Sequence, residues 1–328
     1  MQTPKKNLWI LWFGIFLILP VFLIKKIKIS DRNFKNRLTN IYGGFLPDTV
    51  EFCNQAIHHL SWNIRSIIEK EFKRHINKDK AWELHYKRSM FWKPLIVSIL
   101  KDNGLPEDLF YICVTESKCS NVVSPAGAAG FWQLMPATAK HYNLLIDSCI
   151  DERLHPVKST KAVCEYFKYL YQKLHDWALV TVAYNAGLER VLTIMENQNT
   201  KRIDSIHINS ESKRFLYRVI SVKYLFEHPE YFRVTFHEIS GMKNEIKIHS
   251  FKKEKDFNAF AKKHASWKSY NPWILCNDYP FNKEHQFLIS ENKKLPPVFI
   301  FGYYKSGHPS GSGPDSVSIN KDTTDHSL

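Results

Sequence analysis

The 328-residue chain carries 46 Lys and Arg against 32 Asp and Glu, a formal net charge of +14, and 14% aromatic residues with nine Trp. That aromatic content excludes a largely disordered chain, and the length fits one sizeable core plus a smaller module. The charge points to a polyanion or an anionic surface such as an envelope polymer or lipid headgroups. Scattered lysines with no helix-turn-helix, zinc-finger or aromatic RNA-binding signature argue against specific nucleic-acid binding.

From Leu8 to Ile24 an uncharged run of 17 residues stands between Lys5-Lys6 and Lys25-Lys26. As a helix it spans about 25 Å, the short end for a bilayer. It is longer than a signal peptide's usual apolar core, and neither a small-x-small cleavage site nor a Cys follows it. Residues 1–28 therefore read as an uncleaved signal-anchor, with a cleaved signal as the alternative. The greater basic charge after the run is the feature that objects, because the positive-inside rule assigns that side to the cytoplasm. Residues 29–50 read as a polar tether.

Residues 51–228 read as a helical domain with its core at about 95–226. Between Phe52 and Leu100 the apolar residues have helix-like spacing, and Trp62, Ile64, Ile67, Ile68 and Phe72 approximate one stripe. Gly104-Leu105-Pro106-Glu107-Asp108 marks a break and then a helix start. That helix is expected over about Pro106–Thr115, with Glu116 near its exit. Loop signals follow from Ser120 to Gly130. Pro136 opens a short helix, and Ser159 is a plausible cap for one bearing Val163, Phe167, Leu170 and Leu174. Asp176 can cap a further helix over Trp177–Tyr184, closed by Asn185-Ala186-Gly187. The last core helix is expected over Glu211–Glu227.

Beyond Pro229 the pattern changes to short alternating pieces, Arg233–Ile239 and Glu245–Phe251, then a helical Asp256–His264 and a strand-like Gln286–Ile289. Residues 229–300 therefore read as a small α+β module. Residues 301–328 form a Ser/Gly/Pro/Asp/Thr tail too poor in apolar residues to order. The fold class is mainly α with this small module at its end.

Six Cys show no C-x-x-C pair and no His at zinc spacing, so no metal is expected. Cys113 lies in an apolar run and reads as a buried small hydrophobe. Cys119 and Cys149 both fall in loops, and an exported protein could join them.

The chemistry concentrates at Glu116. Thirty residues without another carboxylate follow it. Its helix approaches through Leu109, Phe110, Tyr111, Ile112 and Val114, and it sits at the negative helix end. Desolvation and the dipole both raise a carboxyl pKa, which suits a general acid. The following segment, Ser124-Pro125-Ala126-Gly127-Ala128-Ala129-Gly130-Phe131-Trp132-Gln133-Leu134-Met135-Pro136, has glycines that let a ligand approach the backbone. Gln133 offers a donor and an acceptor for a sugar amide or hydroxyl.

Four motifs in one order, Glu116-Ser117, the Ser-Pro-x-Gly-Ala-x-Gly loop, Trp132-Gln133-x-Met135-Pro136 and Ala183-Tyr184-Asn185, resemble the family 1 lytic transglycosylases of the soluble-lytic-transglycosylase fold. The likeness to the membrane-bound lytic murein transglycosylase D branch extends from about Trp62 to Tyr231, taking in Asp151-Glu152-Arg153 and Glu211-Ser212-Lys213-Arg214. Ser212 and Tyr217 depart from that branch, where Thr and Pro are common.

The resemblance implies a lysozyme-like helical fold with Glu116 as catalytic acid/base. It also implies substrate contacts from Ser117, Ser124, Gln133, Met135, Tyr184, Asn185 and Glu211, with no cofactor. The implied partner is the peptidoglycan glycan strand, and the implied location is the periplasmic cell envelope, anchored through the N-terminal segment. The implied reaction uses one carboxylate with help from the substrate's N-acetyl group. A lysozyme-type hydrolase recruiting Asp176, Glu189 or Glu211, and a non-catalytic peptidoglycan-binding protein, are the alternatives. Phe260-Ala261-Lys262-Lys263 and Asn271-Pro272-Trp273 are similar to a degenerate LysM module, with an ordinary structural extension as the other reading.

Overall fold

The computed structural model describes residues 49–57, 62–76, 79–201, 203, 206, 210–228, 246–264, 267–276 and 285–290. Elements run β1 (Val50–Phe52), β2 (Gln55–Ile57), α1 (Trp62–Ile76), α2 (Asp79–Asp102), α3 (Phe110–Ser117) and α4 (Pro136–His141). They continue with α5 (Pro156–Leu174), α6 (Trp177–Ala186), α7 (Leu188–Asn197), α8 (Ser210–Glu227), β3 (Ile246–Phe251), α9 (Glu254–Lys263) and β4 (His285–Ser290). The described residues are mainly helical, with two small antiparallel sheets. The signal-anchor, nearly all of the tether, the strand expected at Arg233–Ile239 and the tail lie outside them. Among the described residues no helix is long and apolar enough to cross a membrane.

The core forms around α3. Its Phe110, Ile112 and Cys113 are fully buried, and α8 and α2 pack against it. α8 also contacts α1 and α6, while α5 bridges α2 and α6. The expected stripe on α1 is borne out at Ile68 and Phe72, which are fully buried.

Several boundaries differ from expectation. The helix before Glu116 opens with a 3-10 turn at Glu107–Leu109, and the α-helix proper starts at Phe110. α5 starts at Pro156, three residues before Ser159, because the His155 ring accepts the Lys158 N–H and the Ser159 hydroxyl bonds back to the His155 carbonyl. Asp176 caps α6 through the Leu179 amide at 2.9 Å, as its position suggests. Phe52 to Ile57, where helix-like spacing was expected to begin, instead belong to a hairpin with Val50 opposite Ile57. Its turn places Cys53 and Asn54 at positive φ.

This hairpin is held by charge. The Asp108 carboxylate accepts the Cys53 amide at 2.7 Å and both its oxygens accept from the Lys223 ammonium, at 2.9 and 2.8 Å. Asp108→Ala is expected to cost about 2–3 kcal/mol, because it leaves a poorly exposed ammonium and a buried amide short of an acceptor. The shift in urea midpoint reads this directly.

The C-terminal module packs onto the helical domain. β3 and β4 pair antiparallel, with Ile248 opposite Leu288, and α9 contacts β3. The disulfide corrects the Cys119–Cys149 expectation: Cys149 is joined to Cys276, 127 residues away, while buried Cys119 faces Cys113 at 3.6 Å between sulfurs. Beside the disulfide, Leu275 donates to the Cys149 carbonyl at 2.8 Å and Asp151 donates to that of Trp273 at 2.9 Å.

Candidate active site

Glu116 is the penultimate residue of α3, which ends abruptly because Lys118 and Cys119 both adopt left-handed φ. The helix therefore delivers the carboxyl at the surface of an apolar core. Burial raises its pKa from 4.5 to about 7, against the opposing pull of the Arg218 and Lys118 cations. At neutral pH the group is poised between acid and base. The Tyr184 phenol is raised by burial and then by the Glu116 charge, which sets the two side chains near one another.

The loop after α3 folds back on itself through bridges of Val123 with Ala129 and Ala129 with Leu134. Its first turn closes by Gly127 N–H to the Ser124 carbonyl at 2.9 Å, with Gly127 at φ +87°. Its second turn, Gly130 to Gln133, puts Gln133 at φ +49°. A non-glycine residue there is strained, and its own side chain offsets the cost. The Gln133 amide donates to the Val122 and Gly130 carbonyls at 3.0 and 2.8 Å. Both amide protons are thus committed, and the carbonyl oxygen remains for a ligand donor.

Buried Phe131 and Trp132 anchor the loop in the core. The Trp132 indole donates to Thr160 at 2.9 Å, and Phe131 lies edge-on to Trp92 with centroids 5.1 Å apart. Ser117 serves the same purpose: buried, it donates to the Phe131 carbonyl at 2.7 Å, so its hydroxyl faces protein. The Tyr184 hydroxyl donates to the Trp132 carbonyl at 2.6 Å, tying α6 to the loop.

Ser117, Gln133 and Tyr184 thus each bond a carbonyl of the one loop that follows Glu116 in the chain. Ser124 accepts the Ala128 amide at 3.0 Å and keeps its proton for another acceptor. Met135 is exposed at 44% and Val123 at 42%, and of these two exposed apolar residues of the loop sequence reasoning singled out only Met135. Asn185 is exposed on the last turn of α6. Glu211 lies on α8, and its side chain falls outside the described residues.

Sequence reasoning noted Arg153 within the Asp151-Glu152-Arg153 motif but assigned it no role. Its buried guanidinium grips Asp151 at 2.9 and 2.7 Å and donates to the carbonyls of Gly127 at 2.6 Å and Leu134 at 3.0 Å. No local signal reveals this, since the acceptors are backbone atoms of the distant loop. Asp176, a rival second acid, caps the opposite end of α6 from Tyr184, about 12 Å away along the axis, and Glu189 is exposed on the first turn of α7.

Residues 94–207 match the family model of the transglycosylase SLT domain. The match covers about a third of the chain. Of the candidate site residues, Glu116, Ser117, Ser124, Gln133, Met135, Tyr184 and Asn185 fall inside it and Glu211 falls outside. The membrane-bound lytic murein transglycosylase D of Escherichia coli strain K12 is 29% identical over 139 residues, covering 40% of this chain and 30% of that one. The soluble lytic murein transglycosylase of Salmonella typhimurium is 31% identical over 118 residues, covering 33% of this chain and 18% of the other. The chain thus spans under a third of these curated relatives. The 70 kDa soluble lytic transglycosylase structure from Escherichia coli covers 61% of this chain and 34% of its own at 19% identity, with a TM-score of 0.37.

Proposed function

We propose that this chain is a peptidoglycan lytic transglycosylase, cutting the bond from N-acetylmuramic acid to N-acetylglucosamine without water. The observation that carries the reading is the state of Glu116, a carboxyl raised to about 7 by burial, with only cations among the charges that shift it. A second carboxylate at glycosidase spacing would raise it further, and none contributes among the described residues.

The proton of Glu116 goes to the linking oxygen as the bond from C1 breaks, while the muramic N-acetyl oxygen supports the charge at C1. The Glu116 carboxylate then takes the proton of the C6 hydroxyl, whose oxygen attacks C1. The acid is regenerated and a 1,6-anhydro end remains. The Gln133 carbonyl oxygen and the Ser124 hydroxyl hold sugar polar groups, and Val123 and Met135 offer an apolar surface to a ring face. Asn185 and Glu211 extend the groove in this reading, and Tyr184 fixes its wall. Residues 51–228 form the catalytic domain, 229–300 the module and 301–328 the tail. Residues 1–28 anchor the chain to the membrane on the periplasmic side.

Because the first step needs the protonated acid, the rate of sacculus solubilisation is expected to hold below about pH 7 and fall about tenfold per unit well above it. A rate that rises through pH 8 and 9 would show that Glu116 is not the proton donor.

A further inference from the structure

We propose that the C-terminal module is a buttress that sets the substrate loop of the SLT domain, with Arg153 as the positioning residue between them. This deepens the reading above by assigning the module a part in the same site.

The connection is continuous. The module delivers Cys276 to Cys149 and the Trp273 carbonyl to the Asp151 amide. Its residues 274–275 are thereby zipped to residues 149–150 of the helical domain, by Ile150 pairing with Ile274 and by Leu275 donating to the Cys149 carbonyl at 2.8 Å. Asp151 orients the Arg153 guanidinium, whose remaining protons hold the Gly127 and Leu134 carbonyls. Gln133 adjoins the second of these.

Both side chains of the Asp151–Arg153 pair are under 10% exposed. A pair so buried keeps one geometry only while every donor and acceptor is satisfied. The module packs beside it, with the Trp273 carbonyl on the Asp151 amide. Trp273 is fully buried, with its ring 5.4 Å from that of His155, and the His155 ring reaches the Gln286 carbonyl at 2.8 Å. Burial lowers the His155 pKa to about 4, and its other ring nitrogen accepts a backbone N–H, so the neutral ring donates to Gln286. The contact surface therefore has the packing of a core rather than of a loose tether, and the Asp151 backbone is bonded into it.

Hydrogen exchange on the full chain tests this without reference to activity. In Cys276→Ser, the Ala129 and Leu134 amides, which bond each other's carbonyls, are expected to exchange about tenfold faster or more, while the amides of α3 and α8 are unchanged. Wild type with and without dithiothreitol repeats the comparison without a substitution. Exchange that stays the same at Ala129 and Leu134, or that accelerates equally in loop and core, overturns the proposal.

Arg153→Lys and Arg153→Gln should both loosen the loop, since a single ammonium cannot bond Asp151 twice and two carbonyls at once. On peptidoglycan both should raise KM about tenfold with a smaller change in kcat, whereas simple unfolding would lower active protein and leave KM alone. The kinetic arm depends on the glycan-cleaving reading and the exchange arm does not, so failures of the two are distinguishable.

Discussion

Glu116→Gln is expected to bind sacculi as the wild type does and to lose turnover by about 10³-fold or more, because one group serves as acid and then as base. The amide keeps the shape of the carboxyl and its place at the end of α3. It cannot give or take the proton.

The same substitution should stabilise the protein at alkaline pH. The folded pKa of about 7 lies above the ordinary 4.5, so the folded state binds a proton that the unfolded chain has already released. The stability contributed by Glu116 is complete below about pH 4.5 and is lost as pH rises through about 7. Glu116→Gln should therefore exceed the wild type by about 1–3 kcal/mol at pH 8 and differ little at pH 4. Paired denaturant melts at the two pH values measure the difference, and equal differences at both would exclude a perturbed carboxyl.

Gly130→Ala is expected to destabilise by about 2–4 kcal/mol and to unseat the loop. An added Cβ would lie 2.0 Å from the Arg153 carbonyl oxygen and 2.7 Å from its carbon, with φ at +78° besides. Those atoms are backbone, in a segment held by the Asp151–Arg153 pair and the module, so they cannot swing aside. Gly127→Ala is the control. It shares a positive φ of +87° but meets nothing within 4 Å, so it should cost only about 1 kcal/mol of conformational strain. Thermal melts of the two variants separate steric need from backbone freedom.

The acid and its loop were legible in the sequence for physical reasons. An apolar run before Glu116 and glycines after it are local signals, and so were the Asp176 cap and the buried stripe of α1. What stayed hidden depends on partners distant in the chain. The hairpin at Val50–Ile57 turns through Cys53 and Asn54 at φ 53° and 58°, without the glycine that usually marks such a turn. The His155 cap escaped notice because Ser159 is the commoner cap type. Cys149 finds Cys276 across 127 residues, and connectivity of that kind is not written in spacing. Ser117 belonged to the right motif, yet its hydroxyl bonds the Phe131 carbonyl and holds the loop.

The central claim is that one carboxyl cleaves the glycan and the substrate's own C6 hydroxyl, not water, closes the reaction. Mass spectrometry of muropeptides released from purified sacculi by the full chain tests it most directly. The expected products carry 1,6-anhydro ends and no added water, and are absent with Glu116→Gln. Products with reducing muramic ends, one water heavier, would contradict it and assign the site to hydrolysis.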